Sequence, residues 1–364
     1  RTLAAASALG IAAAPAALPL GAVRDAAALD VAIVQGNVPR GYFEGLRRGR
    51  AGPEDEVIIA NHVRLTETLS GDPPDLVIWP ENALDRDPFT DQVARDGVDV
   101  ALGLTRTPLL VGAILDGPRP NTFYNANLLF SPDGTVLGRY DKVRLVPFGE
   151  YVPWSWARRV VPSLEQVPTD GVPGRGPVVM DLPSGDRFGT VICFESSYPH
   201  LSRELARRGA EMIVVSTNTA TFERSPLARQ HLALSRMRAV ETGRPVVHAG
   251  IAGISAVIRP DGRIVRRAGL FVPAIVREPV LLATGRTPYV EHGEVTDTAL
   301  GIAAGACAAA AALIAWRRRP GGDIDEEDEV FWRAGTQHGR EANGEEMPTV
   351  ATASAAESEW EQRE

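Results

Sequence analysis

Among 38 basic side chains only one, Lys142, is a lysine; the other 37 are arginine. Arginine keeps its proton in proteins and presents a broad fork, whereas lysine is a compact ammonium. One lysine in such a background marks a site that needs that chemistry or is a chance survivor, and composition alone does not choose. Of the two cysteines, Cys307 lies inside an apolar stretch, which leaves Cys193 without a partner in the rest of the chain. An unpaired cysteine is either a small core residue or a nucleophile. Glu81 is the third candidate. Each of the three follows a run that reads as a buried strand: LVIWP before Glu81, VLGRYD before Lys142 and FGTVI before Cys193. Strand ends are where α/β proteins build sites. One polar residue at a strand end means little, but a carboxylate, the only lysine and an unpaired thiol in equivalent places mean more.

Other chemistries find little support. The six histidines (His62, His200, His231, His248, His292 and His338) show no metal-ligand spacing, so no metal is expected. No G-x-S-x-G elbow, Walker loop or G-x-G-x-x-G fingerprint is present, and no cofactor is expected. The net charge of −8 is concentrated: residues 320–364 hold 13 acidic side chains against three arginines, or −10, so the body carries about +2. No basic stripe interleaved with aromatics suggests a nucleic-acid partner.

The elements that must position these residues alternate along the chain. Buried strands are predicted at Asp30–Val38, Asp75–Glu81, Leu109–Leu115 and Asn125–Ser131, with a hairpin through Pro132-Asp133-Gly134 into Val136–Lys142. Val178–Leu182 and Arg187–Phe194 flank a turn at Ser184-Gly185-Asp186. Further strands are predicted at Glu211–Asn218, Pro245–His248, Ile254–Arg259 and Arg263–Arg266, the last two joined by Pro260-Asp261-Gly262. Helices are predicted at Glu54–Leu69, Leu201–Arg208 and Ser225–Thr242, the last capped by Ser225 and stopped by Gly243. Fully apolar runs such as LVIW, TVIC and MIVV indicate sheets covered on both faces.

Two apolar segments flank this part. Thr2–Val23 is uncharged and Ala/Leu-rich, and reads as the end of a transmembrane helix in preference to a signal peptide. Thr298–Trp316 is 19 residues without charge, followed by Arg317, Arg318 and Arg319. The arginines predict that this end faces the cytoplasm, which puts the intervening domain on the outer face. The expected division is a helix end at 1–24, a catalytic domain at 25–294, a transmembrane helix at 295–319 and an acidic, disordered tail at 320–364.

The local sequences resemble the nitrilase superfamily: Pro80-Glu81, Tyr140-Asp141-Lys142 and Cys193-Phe194-Glu195. Within it, Val34-Gln35-Gly36-Asn37-Val38-Pro39, Ile78–Asn82, LVPFGEYVP at Leu145–Pro153, Gln230-His231 and Arg236-Met237-Arg238-Ala239 resemble apolipoprotein N-acyltransferases. The likeness covers roughly residues 30 to 318. Two departures stand out. Thr217-Asn218-Thr219-Ala220-Thr221-Phe222 replaces a common S-N-D-A-W-F, and Phe194 stands where a tyrosine is common.

The resemblance implies an α/β fold, a nitrilase-like α-β-β-α sandwich with flanking transmembrane helices. It implies a catalytic triad of Glu81, Lys142 and Cys193. Cys193 would attack a phospholipid ester, Glu81 would take its proton, and Lys142 with the Phe194 N–H would hold the oxyanion. A helix beginning near Ser197 is expected to favour the thiolate. The thioester would then pass to the α-amine of a diacylglyceryl-modified apolipoprotein. Glu150 is expected to hold the lysine and Glu195 to support the site. Trp154, Trp156, Val160, Val161 and Leu164, with Arg158 and Arg159, are expected to form a lid toward lipid, with Tyr42 and Phe43 in a similar part. The expected setting is a bacterial plasma membrane, with the chain acting as a monomer. Two rivals share these residues: a superfamily amidase acting on a small amide, and an inactive membrane scaffold.

Overall fold

Strands such as LVIW and MIVV have apolar side chains on both faces, so each must be covered twice, and the fold satisfies this with two stacked sheets between helical layers. The computed structural model describes residues 28–38, 54–154, 160–161 and 169–317. The chain divides into two units, Arg1–Ala299 and Leu300–Glu364.

The first sheet runs in the order β13-β1-β2-β3-β4-β5, from Ala274–Val280, Leu29–Gln35, Leu76–Leu84, Leu109–Asp116, Thr122–Phe130 and Val136–Asp141. A two-residue strand, β6 (Asp170–Gly171), pairs with β4. The second sheet runs β12-β11-β10-β9-β8-β7, from Ile264–Arg267, Ala256–Ile258, Val246–Gly250, Met212–Thr217, Arg187–Ile192 and Val179–Asp181. Central pairs β1–β2, β2–β3, β8–β9 and β9–β10 are parallel and the outer pairs antiparallel.

Alternation along each strand makes three apolar layers. Val31, Ile33, Ile78 and Leu110 of the first sheet meet Phe188, Met212, Val214 and Val247 of the second. The other face of the first sheet packs Val34, Trp79 and Val111 against α1 (Glu54–Glu67) and α2 (Gln92–Thr105) through Ile59, Val98 and Leu102. The other face of the second packs Val191, Ile213 and Val215 against α3 (Pro199–Arg207) and α4 (Leu227–Thr242) through Leu205, Leu232 and Ala239. This is the α-β-β-α sandwich expected from the sequence.

Several boundaries differ from the sequence reading. Glu81 does not end its strand: β2 continues to Leu84, with a register shift against β3 and Asn82 at φ +59°. A left-handed residue inside a strand re-aims its neighbours. Ser225 does not cap α4; Pro226 occupies the cap position, while Gly243 ends the helix at φ +64°. The sequence reading had no counterpart of α2, β6 or β13.

A last helix, α5, spans Pro288–Arg317. Its first turns are tied to α3. The Arg207 guanidinium donates to the Val290 carbonyl at 2.7 Å and to Glu294 at 2.8 Å, and buried Arg203 donates to Asp297 at 3.1 Å. The rest of α5 is apolar, with mean hydropathy 2.0 over its best 18-residue window. It is long and apolar enough to cross a membrane. The other proposed segment, Thr2–Val23, and the acidic tail lie outside the described residues.

Candidate active site

The parallel strands of both sheets end on the same side of the sandwich, and the candidate residues meet there. Glu81 projects from the irregular stretch of β2, against Gly112 of β3. A Cβ at Gly112 would lie 2.3 Å from the Pro80 carbonyl oxygen and 2.6 Å from Glu81 Cα, so only glycine allows this approach. Lys142 is the first residue after β5. Its backbone N–H donates to the Asn125 carbonyl at 2.8 Å, and its own carbonyl accepts from Gly174 at 2.9 Å. Cys193 is the first residue after β8 and opens a 3₁₀ turn, Cys193–Ser197, at φ +54°. A left-handed cysteine is costly by about 1–2 kcal/mol and is a feature of tight, functional turns.

The side chains form one buried cluster. Lys142 Nζ donates to Glu81 Oε1 at 3.1 Å and to Glu150 Oε1 at 2.9 Å, with only 2% of the lysine exposed. Burial works against its ammonium, but Glu81, Cys193 and Glu150 outweigh it and hold the group protonated, above the ordinary lysine range. Glu81 Oε2 accepts the backbone N–H of Asn218 at 2.7 Å, a bond from the loop after β9 in the other sheet. Glu150 Oε2 accepts the Val146 N–H at 2.8 Å, fixing the turn that carries it. Cys193 Sγ lies 4.0 Å from the Asn218 carbonyl oxygen. Burial, then the Glu81 charge, push the thiol up to about 12, and Lys142 only partly offsets them. Cys193 therefore rests as a thiol and needs a base at the moment of attack.

α3 begins at Pro199, six residues beyond Cys193, with the 3₁₀ turn between them. The dipole effect falls off within the first turn, so the expected help from this helix is small against burial.

Glu195 sits beneath the site, fully buried. Its Oε1 accepts the N–H groups of Val143 and Arg144 at 2.7 and 2.9 Å, and its Oε2 accepts Tyr140 Oη–H at 2.7 Å and Ile192 N–H at 2.8 Å. Burial raises the Glu195 carboxyl, while these donors pull it back. Four donors on two oxygens fit a carboxylate and leave no room for a proton. The carboxylate thus ties the segment after Lys142 to the turn that holds Cys193. Glu195→Gln would aim an NH₂ group at two N–H donors or at Ile192 N–H and Tyr140 Oη. We expect a loss of roughly 2–4 kcal/mol in chemical denaturation; an unchanged midpoint would show that the link is dispensable. Buried Arg238 of α4 adds a second brace, donating to the Ser196 carbonyl at 3.2 Å.

Phe194 follows the sulfur in the same turn, and its ring meets Tyr198 edge-on at 5.4 Å. Trp154 is 56% exposed and packs near Phe148, at 6.3 Å between ring centres, while Val160 and Val161 are also exposed. Tyr42, Phe43, Trp156, Arg158, Arg159 and Leu164 lie outside the described residues.

The sequence reading did not single out Asn125, whose Nδ2 donates to Glu81 Oε1 at 2.8 Å and to Glu150 Oε1 at 2.9 Å. The available signal was two asparagines, Asn125 and Asn127, inside a strand otherwise rich in apolar residues, TFYNANLLF. Asn218 was named only as part of a variable motif. It acts through its backbone, which side-chain type cannot reveal.

An α-β-β-α sandwich with a carboxylate, a lysine and a cysteine gathered at one side of its sheets is the architecture of nitrilase-like proteins. The family model for carbon-nitrogen hydrolases matches residues 31–283, and the chain belongs to that family. Curated relatives include an apolipoprotein N-acyltransferase of Mycolicibacterium smegmatis, 36% identical over 77% of this chain and 48% of that protein. Another, from Geobacter metallireducens, is 35% identical over 78% of this chain and 53% of its own length. The chain spans about half the length of the curated relatives it matches. Among solved structures, an amidase from Nesterenkonia sp. superposes with a TM-score of 0.55 at 19% identity, covering 77% of this chain and 99% of that one. At that identity the likeness speaks for the fold alone.

Proposed function

We propose that this chain transfers a fatty acyl group from a membrane phospholipid to the N-terminal amine of a diacylglyceryl-modified apolipoprotein. The observation that carries the reading is the buried cluster in which Glu81 and Glu150 share the Lys142 ammonium beside the Cys193 thiol. The names of the curated relatives supply the substrate class.

In this mechanism Glu81 takes the thiol proton as Sγ attacks the ester carbonyl carbon. The carbonyl electrons move to oxygen, where Lys142 and the Phe194 N–H meet the developing charge. Collapse breaks the bond to the glycerol oxygen, which leaves with the proton from Glu81, and a thioester remains on Cys193. The lipoprotein amine then attacks the thioester. Its proton passes to Glu81 and on to the departing sulfur, restoring the thiol. Glu150 keeps Lys142 in place throughout. Two carboxylates against one ammonium leave the cluster a net negative charge, which suits a site that must pull a proton from a reluctant thiol.

The membrane setting rests on α5. Its 30 residues would extend about 45 Å, longer than the roughly 30 Å hydrocarbon layer. Glu291, Glu294 and Asp297 fall in its first turns, so the apolar stretch from Thr298 is the part suited to lipid. The arginines at its far end favour the cytoplasmic side, which puts the sandwich outside the cell membrane. The exposed Trp154, Phe148, Val160 and Val161 then suit contact with lipid.

Intact mass spectrometry tests this. The full chain in detergent, incubated with phosphatidylethanolamine vesicles, should gain one long-chain acyl group, released by hydroxylamine. An adduct only from small amides would favour the amidase, and no adduct from either donor would favour a scaffold.

A further inference from the structure

Glu81 has two carboxylate oxygens, and the structure treats them differently. Oε1 already accepts two hydrogen bonds, from Lys142 Nζ at 3.1 Å and from Asn125 Nδ2 at 2.8 Å. Oε2 accepts one, from the Asn218 N–H at 2.7 Å. A carboxylate oxygen offers about two lone-pair positions, so Oε1 is filled and Oε2 has one open. The second Asn125 N–H goes to Glu150 Oε1 at 2.9 Å, which also receives Lys142 Nζ at 2.9 Å. Two donors and two acceptors thus close a ring: Glu81, Lys142, Glu150, Asn125. Asn125 is 3% exposed, and the backbone bond from Lys142 N–H to the Asn125 carbonyl locks its position in β4. Its Oδ1 is buried without a protein partner, so the amide is oriented by the two carboxylates.

We propose that Asn125 is a positioning residue that fills Oε1 of Glu81 and thereby directs the Cys193 proton to Oε2. It also donates to both Glu81 and Glu150, which offsets the repulsion between them around a single ammonium. With Asn125 in place, a proton arriving from the thiol finds one open lone pair, on the oxygen facing the Asn218 loop that also approaches Sγ. Without it, Oε1 competes for the proton, and the paired carboxylates bind a solvent proton more readily. Among the described residues, the charged and titratable groups around Glu81 are Lys142 and Glu150 from the segment after β5, Cys193 from the 3₁₀ turn and His231 from α4.

The inference rests on the proposed role of Glu81 as the base for Cys193, but its test needs no lipid. Alkylation by iodoacetamide forms an Sγ–carbon bond and expels iodide, while the thiol proton goes to Glu81. Its rate against pH has an acid limb set by protonation of that base. Asn125→Ala, measured as the full chain in detergent, should move this limb to higher pH by about one unit, a tenfold slowing on the limb. Asn125→Ser, which keeps one donor, should move it by less, and it supplies the reading if the alanine variant does not fold. Limbs that coincide with the parent in folded variants, or a uniform loss at every pH, overturn the proposal. A shifted limb with no acyl adduct from phospholipid would keep this inference and remove the acyltransferase reading.

Discussion

Cys193→Ala is expected to leave a folded protein that forms no acyl adduct and transfers no acyl group, with activity down on the order of 10⁴-fold or more. The geometry gives the reason. Sγ belongs to the buried cluster of Glu81 and Lys142, and none of the other described residues in that cluster is a nucleophile of comparable kind. The fold should survive because the substitution removes one sulfur from a position 8% exposed and keeps a Cβ. The left-handed backbone at φ +54° costs alanine as much as cysteine, so stability should change by only about 1 kcal/mol. The measurement is hydroxylamine-labile mass on the intact chain beside a transfer assay. Transfer retained at even a tenth of the parent rate would mean that the sulfur is not the acyl carrier.

The sandwich was legible where strands are buried on both faces, because short apolar runs rich in β-branched residues, such as LVIW and MIVV, fit strands covered twice. The turns were legible as well. Gly134, Gly185 and Gly262 all adopt φ between +81° and +87°, the conformation their Asp- and Gly-rich contexts announce. What escaped has a physical cause in each case. The buried face of α2, Ala94, Gly97, Val98, Ala101, Leu102 and Thr105, has helical spacing, but the segment carries Gly97 and Gly103, which lower helix propensity and read as breakers. Gly97 is there because the helix lies close over Ile59, whose Cγ2 would be 2.5 Å from an added Cβ. β13 carries Arg277, Glu278 and Pro279, which read as loop, yet it is an edge strand paired only with β1 in its sheet. An edge tolerates a missing N–H and charged side chains. For the candidate site, residue type and strand position named Glu81, Lys142 and Cys193, while Glu150 and Glu195 came from the family resemblance. Type could not name Asn125, an ordinary polar residue until two carboxylates from distant segments close on it. Nor could it name Asn218, which contributes a backbone N–H whose direction depends on the meeting of two sheets.

Lys142→Arg should lose most of the activity, roughly 10²–10³-fold, although it conserves charge. Lys142 is buried between Glu81 Oε1 and Glu150 Oε1, and its ammonium makes two bonds of 3.1 and 2.9 Å from one atom. A guanidinium spreads its charge over a planar fork and cannot bring it to a single point between two carboxylate oxygens that Asn125 already bridges. Either the fork displaces Glu150, or the side chain turns away and leaves two buried carboxylates without a cation. Both outcomes remove a donor from the proposed oxyanion position. Lys142→Met separates charge from shape: it fills a similar volume but strands both carboxylates, and it should cost more stability than arginine while losing at least as much rate. The discriminating measurement is the single-turnover rate of adduct formation on Cys193, compared with thermal stability. A near-parent rate for Lys142→Arg would make the one lysine among 38 basic residues an accident of composition. A large loss in rate with little loss in stability would place its effect on the reacting atoms.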